Sequence, residues 1–159
     1  GWRFGLAAAT ALAVSRACAV PDETALAGLS AVAMPAMRSA LQDVGALTVL
    51  NDAYNANPTS MSAALTALAA LPARRKVAVL GEMAELGADA EALHHEMVAQ
   101  ARSLDIEVVA VSTGAYGVDG WQPADGAAAL TSLGEGEAAL VKGSRVAGLE
   151  QIVSRVLAG

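Results

Sequence analysis

The densest cluster of side chains able to do chemistry is Asn51-Asp52-Ala53-Tyr54-Asn55-Ala56-Asn57-Pro58. An acid, a phenol and three amides share one short run that ends at a proline. A β-like segment, Leu47-Thr48-Val49-Leu50, precedes it, and a helix-like segment from Pro58 follows. Asn57 before Pro58 is explained as a helix N-cap, since an Asn side chain accepts from an exposed N–H of the first turn. A cap does not require Asp52, Tyr54 and Asn55. A polar group between a strand and a helix N-terminus also suits an anionic or nucleotide ligand. The residues alone leave both readings open.

A second cluster is Val141-Lys142-Gly143-Ser144-Arg145. It offers a Lys, a Gly that permits close approach, a Ser able to cap, and an Arg. Two cations beside a helix N-terminus can hold a carboxylate or a phosphate. The plainer alternative is a Ser N-cap flanked by solvated cations. A third stretch, Gly81-Glu82-Met83-Ala84-Glu85-Leu86-Gly87, carries two acids that read as solvated loop residues. His94 reads as a packed or surface histidine rather than a catalyst.

Other chemistry is missing from the sequence. It contains no G-x-x-x-x-G-K-[ST] phosphate loop, no G-x-G-x-x-G fingerprint and no G-x-S-x-G elbow. His94 and His95 are adjacent, so they cannot form an i, i+4 metal pair on one helix face. These residues make no self-contained catalytic apparatus, and no metal site is expected among them.

The elements that would position the clusters follow an alternating pattern. Residues 4–17 read as a helix, and a second runs from Pro21 to about Ala33, with Pro and acids suiting its first turn. Met34-Pro35-Ala36 marks a boundary. Ser39–Asp43 and Leu47–Asp52 read as a hairpin around Val44-Gly45. Helices are expected at 58–71, 88–104, 125–133 and 145–157, and strands at 76–80, 107–111 and 138–141, with a loop over 112–124. KVAVL and EVVAV are continuous apolar runs, as in strands buried on both faces of a parallel sheet. Strands alternating with helices predict an α/β domain with a mainly parallel sheet. Ligands of such sheets bind beyond the C-terminal strand ends. Those ends carry Asp52-Ala53-Tyr54-Asn55, Gly81-Glu82, Ser112-Thr113-Gly114 and Lys142-Gly143-Ser144-Arg145, which can all meet along one edge.

Bulk properties fit this organisation. The 159 residues are 55% hydrophobic and 16% charged, which excludes a disordered chain. A net charge of −6 without a basic cluster excludes an ordinary nucleic-acid binder, which needs Lys and Arg for phosphates. The single cysteine, Cys18, allows no intrachain disulfide and fits a reducing compartment. Arg3, the apolar run Phe4–Val14 and Ala17-Cys18-Ala19 outline a signal peptide, but an Ala-rich packed helix is the reading taken. The run is short of the ~20 residues of a membrane span.

The three clusters in this order resemble the Mur ligases. Asn51–Pro58 with Ser60-Met61 and Ala63-Ala64-Leu65 is similar to their "D-x-Y-N-A-N-P-x-S-M-x-A-A-L" signature. Val79–Gly87 is similar to "V-L-G-[DE]-M-x-E-L-G", with His94 where the family's next histidine falls, and Leu140–Arg145 to "L-V-K-G-S-R". The "Y-N-A-N-P" form points to the member that joins D-alanyl-D-alanine to UDP-N-acetylmuramoyl-tripeptide. The resemblance covers about residues 36–159; residues 1–34 look like the closing helices of the family's central ATPase domain. The chain is therefore expected to be a piece of a longer enzyme.

The resemblance implies a three-layer Rossmann-like domain. It implies an ATP-dependent ligase of peptidoglycan precursor synthesis in the cytoplasm, working through an acyl-phosphate. ATP and Mg²⁺ would be bound mainly by the central domain, and this chain alone would be inactive. Asp52, Tyr54, Asn55 and Asn57 are expected to face the nucleotide. Lys142, Ser144 and Arg145 are expected on the dipeptide side, with the cations near its carboxylate. Where the family has a Gly-Arg hinge pair, this chain has Met34-Pro35-Ala36-Met37-Arg38, and Arg38 is expected to keep the arginine role. The alternative is a non-catalytic α/β module that binds a nucleotide or a small acid.

Overall fold

A computed structural model describes residues 2–32, 40–44, 47–118, 120–121 and 123–158. The chain divides into two compact units, Gly1–Met34 and Pro35–Gly159. Arg38 and the expected boundary at 34–36 lie outside the described residues.

The first unit is a helical pair, α1 (Trp2–Ala17) and α2 (Asp22–Ser30). Ala19, at φ 57°, ends α1 in the left-handed conformation, and the Val20 N–H returns to the Ser15 carbonyl at 2.9 Å. The Arg16 guanidinium grips Asp22 across the turn at 2.9 and 2.6 Å. It raises its own pKa and lowers that of Asp22, chiefly through the hydrogen bond. Pro21 and the acids Asp22 and Glu23 open α2, as the residue types predict. This helix ends at Ser30, short of the expected Ala33.

The second unit is a three-layer α/β/α sandwich. Its elements are β1 (Ala40–Val44), β2 (Leu47–Asp52), α3 (Pro58–Ala69), β3 (Arg75–Leu80), α4 (Ala90–Ser103), β4 (Glu107–Val111), β5 (Gly120–Trp121), α5 (Pro123–Thr131), β6 (Glu137–Lys142) and α6 (Glu150–Ala158). Among the described residues the sheet runs β1-β2-β6-β3-β4-β5. Only β1 is antiparallel, as the arm of the expected hairpin, with Ala40 opposite Asn51 and Val44 opposite Leu47. The other pairings are parallel.

Strand alternation builds two cores. Ala78, Leu80, Ala138 and Leu140 pack with Met61, Leu65 and Leu68 of α3 and Met97 and Val98 of α4. Val77, Val79, Ala139 and Val141 pack on the opposite face with Leu130 of α5 and Ile152 and Val153 of α6. All six residues of β6 are buried, as a strand covered on both faces requires. Small side chains keep the layers close: a Cβ on Gly126 of α5 would lie 2.9 Å from Val111 Cγ2 and 2.8 Å from Ile152 Cδ1.

Most boundaries lie within a few residues of those expected from sequence. α3 ends two residues earlier, and α5 begins at Pro123, where Pro suits the first helical turn. A 3-10 turn, Gly87–Asp89, precedes α4, and the loop expected over 112–124 contains the short strand β5. The start of α6 differs more and bears on the site below.

Candidate functional site

The topology gathers the sequence clusters at the C-terminal edge of the sheet. β6 lies between β2 and β3, and its last residue, Lys142, pairs in register with Asp52 on one side and Leu80 on the other. The chain leaves β2 and β3 towards the α3/α4 layer, but leaves β6 towards the α6 layer. Such reversals of connection direction are where open α/β sheets hold ligands.

Lys142 and Asp52 join the first two clusters directly. The Lys142 ammonium is 2.5 Å from Asp52 Oδ2, and it donates to the Asn55 carbonyl at 2.7 Å. The Lys142 side chain is 1% exposed and that of Asp52 15%. Burying such charges costs free energy unless they are paired and hydrogen-bonded, as they are here.

Asn57 does cap α3. Its Oδ1 accepts from the Ser60 N–H at 2.8 Å, while Ser60 Oγ accepts from the Asn57 N–H at 3.1 Å. This reciprocal capping box, with Pro58 opening the helix, fixes the exit from the polar turn. Within the turn, Asn55 Oδ1 accepts from the Ala56 N–H at 2.9 Å. Tyr54 and Asn55 are exposed.

Ser144 ties three loops together. Its N–H donates to the Glu82 carbonyl at 2.8 Å, and its Oγ accepts from the Ala84 N–H at 2.8 Å. The same hydroxyl reaches the Ala56 carbonyl at 3.4 Å. Ser144 is buried, whereas Arg145 is exposed, its guanidinium 5.9 Å from the centre of the Tyr54 ring. A cation over an aromatic face is an attractive arrangement.

The expected helix over 145–157 is corrected. Arg145–Ala147 forms a 3-10 turn, Gly148 ends it at φ 62°, and α6 starts at Glu150. Ser144 makes no side-chain cap bond, because its hydroxyl faces the neighbouring loops. Along the chain, the 3-10 turn and Gly148 therefore stand between Lys142 and the start of α6.

Gly81 and Gly143 allow two loops to touch. A Cβ on Gly143 would lie 3.0 Å from Gly81 Cα, and one on Gly81 would lie 2.6 Å from Ala147 Cβ. The Gly81 N–H donates to the Lys142 carbonyl at 2.9 Å, which carries the β3–β6 ladder past the strand ends. The close approach read into Gly143 is thus to another backbone.

The loop after β3 is held from below by His94 and Tyr116. His94 is fully buried; its Nε2 accepts from the Met83 N–H at 2.9 Å, and its Nδ1 lies 2.6 Å from the Ala90 carbonyl. That pattern specifies a neutral ring with the proton on Nδ1. The packed reading of His94 holds. Tyr116 meets the imidazole edge-on, with centroids 4.6 Å apart at 81°, and donates to the Gly81 carbonyl at 2.9 Å. Burial, and then the charge of Glu82, push the Tyr116 hydroxyl well above the ordinary phenol range. Sequence reasoning passed over Tyr116, whose contacts are remote in sequence. The loop acids Glu82 and Glu85 are exposed, as expected. Glu85 and Ser112, in the loops after β3 and β4, adopt left-handed backbone, at φ 64° and 58°.

Known proteins are similar to this chain in sequence and fold. Residues 37–158 match the family described as "Mur ligase, glutamate ligase domain". A UDP-N-acetylmuramoyl-tripeptide–D-alanyl-D-alanine ligase of Mycobacterium tuberculosis is 37% identical over 186 aligned residues, covering 93% of this chain and 36% of the relative. The enzyme of the same name from Escherichia coli is 43% identical over 119 residues, covering 66% of this chain and 26% of its own length. The crystal structure of MurF from Acinetobacter baumannii superposes with a TM-score of 0.81 at 27% identity, covering 96% of this chain and 36% of that one. A Thermotoga maritima MurF structure in complex with ADP shares the fold, with a TM-score of 0.78 at 24% identity, covering 92% of this chain and 36% of that one. The chain thus spans about a third of the length of the curated relatives that match it over most of its residues. The family match over 37–158, on a sandwich whose C-terminal edge carries the family's motifs, shows that this chain belongs to the Mur ligase family.

Proposed function

We propose that this chain is the C-terminal part of an ATP-dependent ligase that joins D-alanyl-D-alanine to UDP-N-acetylmuramoyl-tripeptide in peptidoglycan precursor synthesis. The observation that carries the reading is the meeting of the polar turn after β2 with the Lys-Gly-Ser-Arg end of β6. Two motifs far apart in sequence become one edge, in a chain whose relatives carry that activity in their names.

The residues present fit a nucleotide at the level of chemistry. Tyr54 offers an exposed ring face and Asn55 an exposed amide, beside the guanidinium of Arg145. In this reading Asp52, Tyr54, Asn55 and Asn57 form the nucleotide side, with Asp52 and Asn57 shaping the turn that presents the other two. Lys142, Ser144 and Arg145 form the dipeptide side, and Arg145 is the exposed cation that meets the dipeptide carboxylate. ATP with Mg²⁺ supplies the phosphoryl group that activates the tripeptide carboxylate. The absent phosphate-loop motif assigns phosphate and Mg²⁺ binding to another part of the enzyme. This edge closes over the nucleotide, keeps water from the activated carboxylate and helps to hold the incoming amine. We assign residues 1–34 to the end of the preceding ATPase domain. Their exposed Leu6, Val14 and Leu26 suit helices that pack on a neighbour. Among the described residues no helix is long and apolar enough to cross a membrane, and the cytoplasm is the proposed location.

The test is kinetic, in the ligase that contains this chain. Asn55→Ala should raise the KM for ATP or lower kcat. Arg145→Ala removes a charge-assisted contact of about 1.5–3 kcal/mol, or about 10–100-fold in kcat/KM for the dipeptide, with a smaller effect on ATP. This chain by itself should turn over no ATP. Measurable turnover by the chain alone, or unchanged kinetics in both variants, would refute the proposal. Nucleotide binding without ligation by the longer protein would favour a non-catalytic module.

A further inference from the structure

Lys142 lies in the motif read as the dipeptide side, yet its charge points the other way. It is buried between β2 and β3, in register with Asp52, and its ammonium is held by the Asp52 carboxylate and the Asn55 carbonyl. The three donors of an ammonium can serve several acceptors at once. One anchors the end of β2 and another the middle of the turn that follows. The same turn is pinned further on by Ser144 at the Ala56 carbonyl and by the Asn57 cap. With the Asn55 carbonyl drawn inward, its exposed side chain is fixed at the edge.

We infer that Lys142 is a positioning residue for the nucleotide-facing turn, acting through Asp52 and the Asn55 carbonyl, and that it does not bind the dipeptide carboxylate. The inference rests on the proposed ligase function for its kinetic consequence, but not for its chemistry. To reach a ligand, Lys142 would have to leave its carboxylate partner, and its own side chain is 1% exposed. Arg145, exposed and three residues on, has no such constraint.

The sequence makes a direct test possible, because Lys76 and Lys142 are its only lysines. Lys76 is half-buried with its ammonium on the neutral Ala69 carbonyl, whereas Lys142 is buried and ion-paired, so reductive methylation of this chain with ¹³C-formaldehyde should label Lys142 at least about tenfold more slowly than Lys76. Asp52→Asn should abolish that protection. Equal labelling of the two lysines in the unaltered chain would overturn the inference, whatever the parent enzyme does. In the ligase, Lys142→Met should raise the KM for ATP about tenfold and leave that for the dipeptide within about twofold. Asp52→Asn should act in the same direction, and the double variant should be no worse than Lys142→Met alone, since the Lys142–Asp52 pair is common to both while the Asn55 contact is lost only with Lys142. A rise confined to the dipeptide KM would overturn the positioning role. If the unaltered parent shows no ligase activity, the proposed function fails, while the labelling result still decides where Lys142 is held.

Discussion

Gly143→Ala places a methyl group where two loop backbones meet. The new Cβ would lie 2.9 Å from Leu149 Cδ1, 3.0 Å from Gly81 Cα and 3.2 Å from Gly81 N. Leu149 can rotate, but the Gly81 backbone is held by its bond to the Lys142 carbonyl and by Tyr116 at its own carbonyl. Forcing a group into so tight a site costs about 1–3 kcal/mol. If the loops part instead, the Gly81–Lys142 and Ser144–Glu82 hydrogen bonds are weakened, each worth about 1 kcal/mol. Alanine also restricts the unfolded chain, which returns about 0.4–1 kcal/mol. The balance is a loss of about 1.3 kcal/mol. With a urea m-value of about 1–3 kcal/mol/M, the unfolding midpoint should fall by roughly 0.5–1 M, followed by circular dichroism. Gly134→Ala is the control. Nothing lies within 4 Å of its new Cβ, so it should leave the midpoint unchanged or raise it slightly. Equal midpoints for the two variants would refute the argument that the loops need a backbone-to-backbone contact here.

Two further outcomes follow from the bonds around the edge. Asn57→Ala removes one half of the capping box and should cost about 1 kcal/mol in the same urea experiment; an unchanged midpoint would show that the cap bond contributes no stability. Tyr116→Phe loses the bond to the Gly81 carbonyl and should cost about 1 kcal/mol near neutral pH. The folded state raises the Tyr116 pKa, so it favours the neutral phenol, and the associated stability is complete below the unfolded value of about 10. Above that pH the unfolded chain releases a proton that the folded one keeps, and stability falls by up to about 1.4 kcal/mol per pH unit. The phenylalanine variant lacks this slope, so the stability difference should narrow above about pH 10. A constant difference would contradict the burial assigned to the hydroxyl.

How far the site could be read from sequence depended on the range of each interaction. Asn57 followed by Pro58 was legible as a cap because the cap bond reaches only to Ser60. The buried strands were legible as continuous apolar runs, and the edge where their ends meet followed from the parallel topology. The start of α6 was misread because Ser144 before Arg145 looks like a cap; the contrary signal was Gly148, the glycine that ends a helical turn in left-handed backbone. The hydroxyl of Ser144 is instead taken by Ala84, 60 residues away. Tyr116 and Gly81 are 35 residues apart, and the Lys142–Asp52 pair spans 90. No local period encodes such partners. The motif spacing marked Lys142 as important, but only the structure shows where its charge is spent.

The position of β6 constrains how the sheet is assembled during synthesis. β2 and β3 never touch in the finished sheet, because β6 fills the place between them. As the chain emerges from the ribosome, β1 with β2 and β3 with β4 are complete long before their common neighbour exists. Until β6 arrives, each part presents a bare strand edge able to recruit other chains. Closing the sheet is the task of one late strand, apolar between Glu137 and Lys142, and the same event delivers Lys142 to Asp52. The edge that we assign to ligand binding is therefore among the last parts of this unit to form, and a nascent chain halted before Glu137 would carry two separate sheet fragments and no joined edge.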